Sequence, residues 1–148
     1  MMVRFFTHAD GSGRAAVEYL LAEEVAAYTE DRKRIAGQTI RRDVLPEVLS
    51  GDPDEAGIYV FRLKIPPGLT FPPHHHDQDR YVTVISGVWA FGTGYSGKCE
   101  DTIPLTAGAY VVHPKGAVHF DGACGEEAVE VQIIGRGPVK TTWVEEAE

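Results

Sequence analysis

The sequence predicts an all-β barrel preceded by an N-terminal helix, and three observations carry that expectation. Beyond residue 50 the apolar residues fall in short runs, each closed by glycine or proline, which is how a sandwich or barrel of short strands reads. In the first of these runs Tyr59, Phe61, Leu63 and Ile65 alternate with Val60, Arg62 and Lys64, the period of a half-buried strand. No helical pattern separates one run from the next, so a parallel sheet built from strand–helix–strand units is excluded.

The helix is expected at the front of the chain. From Arg14 to Arg34 there is neither Gly nor Pro, and Val17, Leu20, Leu21, Val25 and Tyr28 line one face at a 3.6-residue period. Ser12 suits a cap and Gly37 a stop, and Glu30-Asp31-Arg32-Lys33-Arg34 reads as a solvated helix end. Residues 1–50 are therefore expected to form a helical or extended segment that packs on the barrel or swaps with a neighbour's, and residues 51–148 to form the barrel. Strands are expected over 58–65, 80–86, 88–92, 109–113, 117–120, 128–134 and 139–144, with Ser86-Gly87 as a tight turn. Pro66-Pro67-Gly68 and Pro72-Pro73 restrict strand pairing ahead of the histidines, because proline has no N–H to donate. Gly92-Thr93-Gly94-Tyr95-Ser96-Gly97 satisfies a dinucleotide-binding spacing, but no helix opens after it to hold a pyrophosphate.

At 148 residues, with 43% apolar and 24% charged, the chain suits one folded domain and excludes general disorder. A net charge of −8 argues against a broad footprint for nucleic acid or an anionic membrane, so neither partner is expected. The N-terminus lacks the apolar core of a signal peptide, and no run approaches the roughly 18 apolar residues of a membrane span. A cytoplasmic protein is expected. Cys99 and Cys124 stand 25 positions apart with no Cys-x-x-Cys pair, so they are expected to be free thiols.

Five of the six histidines lie between His74 and His119. On an extended strand His74 and His76 project to one side and His75 to the other. Two neutral imidazoles from one strand supply two corners of a first-row metal site, and His119, on a later strand, is the natural third. His75 and His113 are expected at the surface or behind the ligands. Tyr81, Trp89, Phe91, Tyr110 and Phe120 are expected to fill the barrel.

The spacing of these residues resembles the two motifs of the cupin superfamily. Gly68, His74, His76, Arg80 and Gly87 follow the spacing of the first, and Gly108, Pro114, Gly116, His119 and Ala123 that of the second, across roughly residues 57–144. The short segment between them is similar to that of small single-domain bacterial cupins. The resemblance implies a double-stranded β-helix, or jelly-roll barrel, with the histidines inside and a divalent metal held by His74, His76 and His119. Iron is the first expectation, with zinc, manganese or nickel as alternatives.

Arg80 stands where the family pattern has a glutamate ligand, and Ala123 where it often has asparagine. An arginine stays protonated and cannot ligate. At about 5 Å and an effective dielectric near 20, repulsion between a divalent ion and a guanidinium is about 6 kcal/mol before relaxation. Three arrangements remain open. Arg80 swings outward and clamps an anionic substrate beside a three-histidine centre; or another oxygen ligand replaces the glutamate, from Gln78, Asp77 or Asp79; or the barrel holds no metal.

The functional expectation is a metal-dependent enzyme, of non-haem oxygenase type or an isomerase or hydrolase, acting on a small organic anion with Arg80 as its catalytic-site cation. The alternative is a non-catalytic small-molecule-binding or sensing cupin with weak or no metal. A homodimer is expected, through the apolar stripe of the N-terminal helix and a strand from residues 38–48 added to a neighbouring sheet edge.

Overall fold

The computed structural model describes residues 4–7, 15–19 and 46–144. From residue 46 onward ten strands run in chain order: β3 (Pro46–Ser50), β4 (Gly57–Ile65), β5 (Thr70–His76), β6 (Arg80–Ser86), β7 (Trp89–Thr93), β8 (Ile103–Leu105), β9 (Tyr110–His113), β10 (His119–Gly122), β11 (Val129–Gly137) and β12 (Thr141–Trp143). They form two five-stranded antiparallel sheets, ordered β12-β5-β10-β7-β8 and β3-β4-β11-β6-β9. From β4 to β7 and from β8 to β12 successive strands alternate between the sheets, while β3–β4 and β7–β8 pair within one, which gives a double-stranded β-helix.

Period-2 burial makes the two sheets one core. Val129, Val131 and Ile133 of β11 are buried while Ile134 and Arg136 are exposed, and β11 pairs along its full length with β4. Tyr59, Phe61, Val82 and Val84 complete this inner face, and Trp89 and Phe71 meet it from the other sheet. The β6–β7 turn depends on Gly87, whose φ of 77° is costly for any other residue and whose missing side chain would strike the carbonyl of Ala128.

β5 is the irregular element. Pro72 and Pro73 do not stop it, because they sit where its pairing with β10 slips by one residue. His119 faces His74, while Asp121, two residues on, faces Phe71, three residues back. The extra residue makes a bulge, and a bulge tolerates a missing N–H. It also reverses the parity, so that Phe71 on one side of it and His74 and His76 on the other all face inward.

Two expectations are corrected. The helix expected to begin near Arg14 is not found there: Ala15–Tyr19 is a strand, β2, paired antiparallel with β1 (Arg4–Thr7), Phe6 opposite Val17 and Arg4 opposite Tyr19. β-branched and aromatic residues in both segments favour that pairing over a helical turn. The rest of the expected helix lies outside the described residues. The cysteines are not free: Cys99 and Cys124 form a disulfide with Cα atoms 5.9 Å apart. Cys99 lies in the connection from β7 to β8 and Cys124 in the connection from β10 to β11, so the bond ties together two connections 25 positions apart in sequence. Among the described residues no helix is long and apolar enough to cross a membrane.

Candidate metal centre

Three of the expected ligands come together at the bulge. His74 and His76 project from β5, His119 projects from β10 directly opposite His74, and their ligand atoms lie within 4.8 Å of one another. All three side chains are buried. Each Nδ1 is occupied by an oxygen acceptor: the Pro72 carbonyl at 2.7 Å for His74, the Ala117 carbonyl at 3.0 Å for His119, and Thr141 Oγ1 at 2.9 Å for His76. A carbonyl only accepts, so the proton of His74 and of His119 sits on Nδ1 and the lone pair is left on Nε2. Nε2 of His119 is buried with no partner.

Burial also keeps these rings neutral. Desolvation lowers His74 from its ordinary 6.5 to about 4 and His119 to about 3, and lowers His76 further still, with Arg80 adding to each shift. Three neutral imidazoles with fixed tautomers and Nε2 atoms close together fit a first-row divalent metal.

Arg80 faces inward, which corrects the expected outward swing. It shares the parity of Val82 and Val84 on β6 and is only 6% exposed. Its Nε–H donates to the hydroxyl of Tyr59 at 3.1 Å, Nη1 lies 3.4 Å from Nε2 of His76, and Nη2 has no partner. The guanidinium lies against the rings of Tyr59 and Phe61. Burial lowers its pKa, with Tyr59 and Asp121 opposing the shift. An Arg80 N–H aimed at His76 uses the lone pair that a metal would take, so the two compete for that nitrogen.

The alternative oxygen ligands are elsewhere. Asp77 and Asp79 are exposed and accept the backbone N–H groups of Lys140 and Lys115, and Gln78 does not line the cavity. These carboxylates pin the β5–β6 turn to its neighbours.

Two further polar residues line the cavity that sequence reasoning left out of the site. Asp121 follows His119 by two residues on β10, so it shares its face; it is 8% exposed and accepts the indole N–H of Trp89 at 3.2 Å. Desolvation raises its carboxyl to about 7, against the lowering effects of Trp89 and Arg80. His113, at the end of β9 opposite Arg80, is buried with its ring centroid 3.7 Å from that of His119 and with neither nitrogen bonded. Strand parity carried both signals, through His119 for Asp121 and through half-buried Val111 for His113. His75 points away from the cavity, as its parity requires.

Aromatic and aliphatic side chains, among them Phe61, Phe71, Trp143 and Ile133, close the rest of the wall. An apolar wall with a few placed polar groups is the make-up of a small-molecule site.

Solved structures with this architecture are numerous and distant in sequence. A double-stranded β-helix protein from Klebsiella pneumoniae is 21% identical with a TM-score of 0.58, the match covering 82% of this chain and 95% of that one. The polyketide cyclase RemF from Streptomyces resistomycificus is 19% identical, with a TM-score of 0.56 and coverage of 71% and 75%. A cupin-superfamily sugar phosphate isomerase from Silicibacter pomeroyi is 16% identical, with a TM-score of 0.57 and coverage of 70% and 66%. No curated protein matches in sequence. The fold is that of the cupins. One family model matches residues 27–148, which takes in both motif regions and every residue of the cavity, and the chain therefore belongs to the cupin-like family described as a domain of unknown function, DUF4437.

Proposed function

We propose that the protein is a metal-dependent enzyme that acts on a small organic anion at the centre formed by His74, His76 and His119. The observation that carries this reading is the carbonyl-occupied Nδ1 of His74 and His119, which leaves their Nε2 lone pairs free beside His76, with the ligand atoms of the three rings within 4.8 Å of one another. A divalent ion there supplies open positions for substrate and dioxygen if it is iron, or Lewis-acid activation for isomerisation or hydrolysis if it is zinc, manganese or nickel. Iron and an oxygenase-type reaction are the first proposal; the cyclase and isomerase among the fold neighbours favour keeping redox-neutral chemistry as the second.

The chain's own residues do the rest. Arg80 offers the unpartnered Nη2 to a substrate oxyanion, and Tyr59 holds the guanidinium in place through Nε. The apolar wall excludes water and strengthens that contact. Thr141 keeps the proton of His76 on Nδ1.

A non-catalytic binding role is the second reading, favoured by Arg80 lying 3.4 Å from Nε2 of His76, where its charge opposes a cation. Elemental analysis of the purified protein, reconstituted with iron, zinc, manganese and nickel in turn, separates the two. Stoichiometric metal that is lost in His119→Ala, with metal-dependent turnover or oxygen uptake, supports the enzyme. Tight anion binding with no metal under any condition supports the binding module.

We further propose a homodimer. Exposed Val112, Tyr81 and Ile134 occupy consecutive register positions across β9, β6 and β11, an apolar row on the outer face of one sheet. Light scattering at micromolar concentration tests it. The cytoplasmic location is a proposal against which the Cys99–Cys124 disulfide weighs, because cytosolic thiols are kept reduced. The redox state of the two cysteines in the native host tests it.

A further inference from the structure

We infer that Asp121 is a carboxylate ligand of this centre, supplied by β10 and not by the β5–β6 segment; the inference rests on the three-histidine reading above. β10 carries His119 and Asp121 two residues apart, so one strand delivers an imidazole and a carboxylate to the same cavity. Asp121 Oδ2 lies 4.0 Å from Nε2 of His74. Two donors bound to one ion at about 2.1 Å are separated by about 3 Å when adjacent and about 4.2 Å when opposite. The separation from His74 falls within that span, while Asp121 lies outside the 4.8 Å group formed by the three imidazoles, so the carboxylate closes toward the ion on binding.

The second oxygen is already committed. The Trp89 indole N–H donates to Oδ1 at 3.2 Å, which fixes the carboxyl plane and leaves Oδ2 turned toward His74, the arrangement of a one-oxygen ligand. Trp89 is itself only 2% exposed, so the donor that orients the carboxyl is held in the core.

Charge points the same way. Among the described residues no lysine or arginine forms an ion pair with Asp121, although it is almost fully buried. Arg80 acts on it across the cavity without pairing with it, and a divalent ion among three neutral imidazoles supplies a cation at bonding distance. The carboxylate that Arg80 displaced from β6 is thereby provided by the facing sheet, and Arg80 is left free to hold substrate.

The experiment uses the full chain, stripped of metal with a chelator and titrated with Co²⁺ by calorimetry and visible absorbance. Asp121→Asn keeps the shape and an acceptor for Trp89. Loss of outer partners alone weakens metal sites by about 10- to 100-fold, so Co²⁺ affinity in this variant falls at least about tenfold and the d–d bands change position and intensity. Wild-type affinity and an unchanged spectrum in Asp121→Asn, alongside lost binding in His119→Ala, overturn the inference and leave the three-histidine centre intact. No Co²⁺ binding by the wild type overturns both. If Asp121→Asn does not fold, Asp121→Glu takes its place: a longer arm at a ligand position shifts the d–d bands, and unshifted bands overturn the inference.

Discussion

Acidification of the metal-free protein should unfold it over an unusually high pH range, because the cavity buries four neutral histidines. In the unfolded chain each takes a proton near its ordinary value of 6.5, whereas desolvation holds His74 at about 4 and His119 at about 3 in the folded chain. Stability is therefore fully present above 6.5 and declines as the pH falls toward the folded values. Integrating from pH 6.5 to 4.5, His74 and His119 each cost about 2 kcal/mol. His76 and His113 are lowered further by the same cause and add losses of the same sign. Asp121 works in reverse. Its folded value of about 7 exceeds its ordinary 3.8, so its contribution grows as the pH falls and returns about 2 kcal/mol over this interval. The histidines win by four groups to one, with a net loss of about 6 kcal/mol, comparable to the whole stability of many domains. Urea unfolding of chelator-treated protein at several pH values measures it. A midpoint that stays constant between about pH 6.5 and 4.5 refutes the claim that these rings are buried and neutral, and a midpoint that rises on acidification assigns the dominant role to Asp121.

Other expectations follow from single contacts. Arg80→Met removes the cation beside His76, so Co²⁺ affinity rises while binding of small carboxylates, followed by calorimetry, is lost. Cys99→Ser opens a loop of 25 residues and lowers stability by about 3 kcal/mol in denaturant titration, and a reducing agent added to the wild type reproduces the loss. Gly135→Ala places a methyl group on the Tyr59 ring, which lies opposite it in the sheet, and costs about 1–3 kcal/mol in thermal melting while disturbing the residue that anchors Arg80.

Much of the barrel was legible because alternation on β4 and along the first half of β11 survives in the sequence, whereas Tyr81 and Tyr110, expected to fill the barrel, stand on its exposed face because Val82, Val84 and Val111 hold the inward positions. The expected strand over residues 80–86 matches β6 residue for residue. The three histidines were legible because their spacing resembles that of a known family. What escaped depended on contacts between distant segments. The bulge in β5 exists only in relation to β10, and the disulfide joins two connections 25 positions apart whose approach is set by the folded chain and not by local spacing. The inward turn of Arg80 was available from the parity of Val82 and Val84, but repulsion between a guanidinium and a divalent ion favoured the outward swing among the three arrangements. Asp121 escaped because the family pattern places the carboxylate before β6, near Asp77, Gln78 and Asp79, and not on the strand that carries His119. The N-terminal stripe of Val17, Leu20, Leu21, Val25 and Tyr28 shows the limit of periodicity, since Val17, its first residue, pairs in a strand and the others lie outside the described residues.

The bulge at Pro72-Pro73 carries one residue more than the ladder needs. A strand shows alternate residues to its two sides, and Phe71 and His74, three apart, share the inner face only because the extra residue is taken up against β10. Deleting Pro72 would leave them two apart, the spacing of a regular strand that keeps His74 opposite His119 and both rings inward. Deleting His75, by contrast, would put His74 and His76 on opposite faces with no ligand altered, so the counting that matters to the centre lies between the two histidines and not at the prolines.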